Sequence, residues 1–441
     1  MTSVALVVLD TLRKDYFDKY FDWLPGTRYN QAWSPSHRTP PVHGALLCGR
    51  YPSELGFDVN QDRLQCPEPT LAESLSDAGY ETTAFSANPY ITEHFNFDRG
   101  FQSFNSPWQL DGLSDDIFDW RDAASDTDKD GASMYARLIK QLISSEQKMP
   151  SSLLYGLRLF LNNRGLLGVN DDGISEAIEF TANREFPEDS FLFMNLMEAH
   201  EPYLPPQSHH STNMHDQPTT VEMTVQGFDI DGEEVRTAYE DSVRYLSDKY
   251  RDLFDSLTES FDVIITCADH GELLGRDGMW GHFYGVYPEL TNVPLVVWNG
   301  ETEPEQSESV VSLLDAYSTI LEAAGVERSS RGRSLLGSCD GGTYLSQSFG
   351  ISEDRLENLD QSSIETSNET RFTTELTALA SPKNYYRYET PEGVVQNGTS
   401  IHEDPTSVQD DLESDLNHTT ENNELGLSES VKSKLEELGY L

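Results

Sequence analysis

Cysteine is scarce in this chain. Cys48, Cys66, Cys267 and Cys339 are the four among 441 residues. They are scattered, with no CxxC pair, so neither a disulfide framework nor a zinc cluster is expected. Positive charge is also thin: 30 lysines and arginines face 76 aspartates and glutamates, for a net charge of −46. Such a balance repels phosphates and excludes sequence-independent binding of nucleic acid. Long apolar runs are missing too. None approaches the ~20 residues of a membrane span. The first, "VALVVLD", has no basic leader and ends in an aspartate, so it reads as a buried strand and not as a signal peptide. A cytoplasmic protein without a membrane span is the expectation. No internal repeat is visible.

Hydrophobic residues make up 37% of the chain and aromatics 10%, which supports a packed interior. High charge alone would suggest disorder, but apolar, patterned segments recur along most of the sequence. A surface adapted to concentrated salt accounts better for dense like charge, because screening makes it tolerable. The expected setting is a halophilic cytoplasm.

Apolar strand-like runs alternate with helical patterns, the signature of an α/β fold around a largely parallel sheet. "SVALVVLD", "ETTAFSAN", "DSFLFMNLMEAH", "FDVIITCADHG" and "VPLVVW" read as strands. "PTLAESLSDAGY", "AYEDSVRYLSDKYRDLFDSL" and "SLLDAYSTILEAAGV" read as helices. Residues 105–175 break this rhythm and read as a helical insert near the mouth of a site. The acidic stretch with His209, His210 and His215 reads as a solvated loop. The chain turns polar near 346, carries the strand candidate "NYYRYE", and closes on the amphipathic "SVKSKLEELGYL". Two regions are expected: a catalytic domain over 1–345 and a small C-terminal α+β subdomain over 346–441.

Ligands of parallel α/β sheets bind outside the carboxyl ends of the strands. Three strand candidates end in such chemistry: one at Asp10, one at His200 and one at Asp269-His270. Carboxylates with imidazole suit a divalent cation held by mixed oxygen and nitrogen ligands. A single Asp at such a place is as well explained by helix capping. Gly271 follows at once and permits the sharp turn that Asp269 and His270 need to reach one ion. His282 follows in "GMWGHFYG". Thr39 precedes two prolines and a helical pattern, "VHGALLCG", where it caps the helix or faces an anion at the helix N-terminus.

These segments resemble the sulfatase family of the alkaline phosphatase superfamily over nearly the whole chain. "VLDTLRKDY" is similar to its first metal-binding strand. "TPPVHGALLCGRYPSELG" is similar to its nucleophile helix, usually Cys/Ser-x-Pro-Ser-Arg followed by Leu-Thr-Gly-Arg-Tyr-Pro. "AGYETTAFSANPYI", "FLFMNLMEAHEPY" and "CADHGELLGRDGMWGH" follow in the family's order. The resemblance implies an alkaline-phosphatase-like sandwich with a mostly parallel central sheet.

The departures are informative. Thr39 stands where the family converts Cys or Ser to formylglycine. His43 replaces the motif's arginine, Cys48 its late threonine, and Asp10-Thr11 the usual Asp-Asp pair. Asn88 stands at the family's lysine. The remaining set resembles the superfamily's threonine-nucleophile phosphodiesterases and phosphoglycerol transferases. It implies a metal-dependent hydrolase or transferase of sulfate or phosphate esters, with one divalent ion (Mn, Mg or Ca) on Asp10, Asp269 and His270. Thr39 would be the nucleophile, with His200 and His282 on the substrate oxyanion or the leaving group. Asn88 would hydrogen-bond the same oxyanion, and His43 and Arg13 would support from behind. The substrate would be a small-molecule, glycan or lipid ester. Phosphoryl or phosphodiester chemistry is favoured, because a sulfated threonine lacks the hemiacetal route of formylglycine. True sulfate-ester hydrolysis is one alternative and a catalytically inactive binding homologue the other.

Overall fold

The structure is a computed structural model. It describes residues 2–125, 132–145, 147–162, 164, 171–206, 208–211, 220–225, 232–301, 303–337, 339–358, 369–417 and 431. His215 and nearly all of the closing "SVKSKLEELGYL" lie outside the described residues.

The first strand, β1 (Val4–Leu9), is buried at every position. An uninterrupted apolar run is what a strand needs when both faces are covered. It sits in mid-sheet, parallel to β5 (Ser190–Leu196) on one side and β6 (Val263–Cys267) on the other. The next parallel neighbour beyond β5 is β3 (Glu81–Ser86), followed by the edge strand β4 (Ser103–Asn105). Past β6 lie β7 (Leu295–Trp298), β2 (Gly26–Trp33) and β8 (Pro304–Ser312), and β7 is antiparallel to both of its neighbours. The sheet order is thus β4-β3-β5-β1-β6-β7-β2-β8. Consequently β3, β5, β1 and β6 end side by side at one edge of the sheet. The expected parallel α/β core is present.

A second, antiparallel sheet has the order β12-β11-β10-β9. Its strands are Gly393–Asn397, Tyr385–Thr390, Leu376–Ser381 and Tyr344–Ser348. Aromatic packing ties it to the large sheet: Tyr386 on β11 stacks on Trp33 of β2 with ring centroids 3.9 Å apart. The boundary expected at 345/346 therefore falls inside β9. The polar composition after 346 reflects the exposed faces of this sheet, while its inner tyrosines share a core with Trp33, Tyr284 and Tyr287.

The chain divides into two compact units. One comprises residues 1–105 and 173–423 and holds both sheets. The other comprises 106–172 with 424–441. Within the latter, helices Ala132–Ser144 and Met149–Asn162 follow a short 3-10 turn, Trp108–Leu113. Their inner side chains include Tyr155 and Leu159, which pack with Ile117, Trp108 and Trp120.

Candidate metal and nucleophile site

The strand ends converge as their sequence predicts. Asp10 follows β1, Asn88 lies beyond β3, His200 beyond β5, and Asp269-His270 beyond β6. Asp10, Asp269 and His270 are fully buried and offer ligand atoms within 4.8 Å of one another. Thr39 begins the helix Thr39–Cys48, with Arg38 as its cap residue and Pro40 and Pro41 in the first turn. Proline suits that turn, since the first N–H groups have no helical partner. Thr39 is thus the first helical residue and not the cap. Its Oγ1 lies 3.2 Å from Nε2 of His270.

Hydrogen bonds fix the tautomers. Nδ1–H of His270 donates to the Gly271 carbonyl at 3.0 Å, which leaves Nε2 as the acceptor facing Thr39. Nδ1–H of His43 donates to the Thr39 carbonyl at 2.9 Å. Its Nε2 then accepts from the Asn195 amide at 3.0 Å. The same Asn195 amide donates to Oδ2 of Asp10 at 3.1 Å, an orientation the carboxylate requires. His43 also packs edge-on against Phe193 and Phe97, and burial lowers its pKa and keeps it neutral.

The two carboxylates differ in their company. Asp10 accepts from Thr11 Oγ1, Asn88 and Asn195. Burial opposes its ionisation, but the charge on His200 and the donor amide of Asn195 hold it below the usual carboxylate range. Asp269 is pushed upward, first by burial and then by Asp10. Its Oδ1 accepts from the backbone N–H of Thr11 and of His270. Its Oδ2 is buried and accepts no hydrogen bond. A buried carboxylate oxygen without a donor, beside a second carboxylate and an imidazole lone pair, is a donor set that fits a divalent cation. Those residues would hold it, with the Thr39 oxygen beside them.

Two more histidines flank this centre. The rings of His270 and His282 lie 4.6 Å apart between centroids, and those of His200 and His282 5.1 Å. Burial alone would lower the pKa of His200. Glu201 and Asp10 reverse that and lift it to about 9. His282 is pushed down to about 3, first by burial and also by the charge of the neighbouring His200. Its Nδ1–H donates to Oε2 of Glu272 at 3.0 Å, and Tyr203 donates to the same oxygen. These two adjacent imidazoles therefore differ in charge at neutral pH.

Three further residues are held by contacts the sequence does not show. Asn88 was expected on a substrate oxyanion. Its amide donates instead to Asp10 at 2.9 Å and to the Met197 sulfur, while its oxygen accepts from Tyr90 N–H. Arg13 forms a two-pronged pair with Asp15 and donates to the carbonyls of Glu272 and Leu273, so it braces the loop after His270. Gly271 is not at positive φ. It is glycine because a Cβ there would lie 2.0 Å from the Glu289 carbonyl oxygen.

Sequence reasoning missed Thr11, Asn195, Glu201 and Glu272. Thr11 adopts φ +59° and bonds both carboxylates through its hydroxyl and N–H. The signals were small: an Asn in the otherwise apolar β5, and acids directly beside His200 and Gly271. The scattered cysteines also meet. Cys48, at the end of the Thr39 helix, and Cys66 are both buried, and burial together with the neighbouring Cys66 thiol pushes the Cys48 thiol up.

Fold and site together define an alkaline-phosphatase-like α/β protein with a buried carboxylate–histidine centre at the head of a helix. The sulfatase family model matches residues 17–326, and the chain belongs to the sulfatase family. It is 26% identical over 328 residues to the choline-sulfatase of Rhizobium meliloti (strain 1021), over 68% of this chain and 60% of that protein. It therefore spans about 60% of that relative's length. A phosphonate monoester hydrolase from Silicibacter pomeroyi shares the fold, with a TM-score of 0.59, 17% identity and 94% of each chain covered. The phosphonate monoester hydrolase of Agrobacterium radiobacter superposes at a TM-score of 0.58 with 14% identity, covering 92% of this chain and 90% of that one.

Proposed function

We propose that this chain is a metal-dependent ester hydrolase acting at a tetrahedral phosphorus or sulfur centre, with Thr39 as its nucleophile. One observation carries the reading. The Thr39 hydroxyl stands 3.2 Å from His270 Nε2, at the head of a ten-residue helix and beside two buried carboxylates. A helix N-terminus presents N–H donors and a positive dipole end to an anion. A divalent ion on Asp10, Asp269 and His270 would supply positive charge that favours the ionised Thr39 oxygen and offsets charge on the substrate. Asn88, Asn195 and Thr11 hold Asp10 in place, and His43 fixes the first helical turn through the Thr39 carbonyl.

The Thr39 oxygen attacks the phosphorus or sulfur, and the bond to the alcohol breaks. His200, charged below about pH 9, gives its proton to the departing alkoxide. His200, left neutral by that step, takes a proton from the water displacing Thr39 and so recovers its charge, while His282, kept neutral and oriented by Glu272, hydrogen-bonds the substrate. Hydrolysis needs this second displacement. A phosphothreonine undergoes it in line, whereas a sulfated threonine has no elimination route. The preferred substrates are therefore phosphate, phosphodiester or phosphonate esters. Sulfate esters are the second reading, supported by the likeness to a choline-sulfatase. The dense acidic surface supports a salt-rich cytoplasmic setting.

Thr39→Ala should lose essentially all turnover, while Cys48→Ala keeps most of it. Both are assayed on p-nitrophenyl phosphate, bis-phosphate, phenylphosphonate and sulfate with and without manganese. Trapping during slow turnover and mass spectrometry should place the transferred group on Thr39. A fully active Thr39→Ala protein, or formylglycine anywhere in the chain, overturns the assignment.

A further inference from the structure

The unit formed by residues 106–172 leaves an unusual surface in water. Among the described residues nine large apolar side chains are exposed, and six of them lie on its two long helices. They are Ile139, Ile143, Met149, Leu153, Leu154 and Leu157, between 42% and 62% exposed. The fold of the hairpin does not need them outside. Leu138 and Leu142 on the first helix, and Tyr155 and Leu159 on the second, already fill its inner face. Exposed apolar residues scattered singly are ordinary, but a cluster on two neighbouring helices marks an interaction surface.

Charge says what kind of surface it meets. Residues 132–164 carry five basic residues and one acidic, while the rest of the chain carries 25 basic and 75 acidic. Arg137 and Lys140 are exposed on the first helix. Lys140 borders Ile143 at i+3, and Arg137 lies one turn before Lys140, on the side away from Ile139. Lys148 and Arg158 sit against the partly exposed Asp116 and Asp111. A basic reversal in so acidic a chain, placed beside an exposed apolar face, matches a partner that is apolar beneath a layer of negative charge.

We propose that the helical hairpin of residues 132–162 docks on an anionic lipid bilayer, lying in the plane of its interface. Helices of 13 and 14 residues are only about 20 Å long at 1.5 Å per residue, too short to cross a bilayer. They have the apolar face and lysine–arginine flank of interfacial helices. The net charge of −46 does not forbid the approach. Screening confines each charge to about 8 Å at 0.15 M salt and about 3 Å at 1 M, so the hairpin's own cations act only at direct contact. A second copy fits less well. Its own hairpin presents like charge, and the rest of its surface offers carboxylates and only three other exposed large apolar residues among those described.

The test is sedimentation of the whole chain with vesicles of phosphatidylglycerol or of phosphatidylcholine. Binding to phosphatidylglycerol is expected to be clearly stronger at the lowest salt at which circular dichroism shows the chain folded, with the preference fading as salt is raised further. Ile143→Gln combined with Leu154→Gln and Leu157→Gln should cut binding to both by about tenfold or more. Arg137→Glu with Lys140→Glu should cut phosphatidylglycerol binding by about tenfold or more and spare the weak phosphatidylcholine binding. Circular dichroism, melting temperature and hydrolysis of a soluble ester should be unchanged in both variants, since the altered side chains face water. No sedimentation with phosphatidylglycerol, or equal binding to both lipids at low salt, overturns the proposal. So does a parent that ignores vesicles yet forms dimers that the triple variant abolishes, because the face then meets a second copy.

Discussion

Asp269 shows how much one side chain is asked to do. Its Oδ1 takes two backbone N–H donors, which pin the turns after β1 and β6 to each other, and its Oδ2 is buried without a donor. Asp269→Ala should empty the site of metal by elemental analysis and lower turnover by about a thousandfold or more, several kcal/mol of charge stabilisation being lost. Full metal content in that variant would place the ion elsewhere. His200 gives a pH prediction. Its folded pKa of about 9 lies above the ordinary 6.5, so the charged form is favoured by folding. That stabilisation, about 3 kcal/mol, is fully present below pH 6.5 and is lost as pH rises through about 9. Activity should fall over the same alkaline range as the proton donor is lost. His200→Asn should remove that limb of the profile and leave a low, flat remainder. An unchanged alkaline limb in the variant would assign it to another group.

Among the elements, the loop from His270 to Leu290 positions most of the chemistry, and close backbone approach holds it. The N–H of Gly271 donates to the Leu290 carbonyl at 2.8 Å, and the Glu289 carbonyl crowds the space a side chain would take. Gly271→Ala must push those backbones apart, at a cost of about 1–3 kcal/mol or more. A lower melting temperature and a larger loss in kcat than in KM are expected, because His270 moves with the loop. Wild-type values for both would show that the loop yields freely. The Thr39–Cys48 helix teaches a different lesson. All ten of its residues are buried, so its sequence has no amphipathic stripe to read. Its start was legible only through the paired prolines, and its end through Gly49 in the left-handed conformation at φ +64°.

On the scale of the whole molecule, the surface charge dominates. With −46 formal charges, self-repulsion opposes the compact state when salt is dilute. The melting temperature should climb steeply from dilute buffer to molar KCl, and a flat curve would remove the argument for salt adaptation. The central sheet was readable in advance because its strands are buried on both faces, which leaves unbroken apolar runs such as Val4–Leu9. The small sheet was less readable. Its outer strand, Gly393–Asn397, is exposed at every position, and its inner strands look polar because tyrosines do their packing.

Sequence alone determined the order of strand ends, and with it Asp10, His200, Asp269 and His270, since each follows a run whose burial is written in its composition, while Thr39 was legible from its prolines and His282 from its place after Asp269-His270. Only the tertiary structure decided how these residues are held. Asn88 and Asn195 meet on Asp10 from strands over a hundred residues apart, Thr11 bridges two carboxylates, and Glu272 orients His282. The same is true of Cys48 and Cys66, which look unrelated in the sequence and are buried neighbours in the fold. Strand burial is a local property with a local pattern. A hydrogen bond between side chains from separate strands depends on sheet order and register, which one sequence read along its length does not contain.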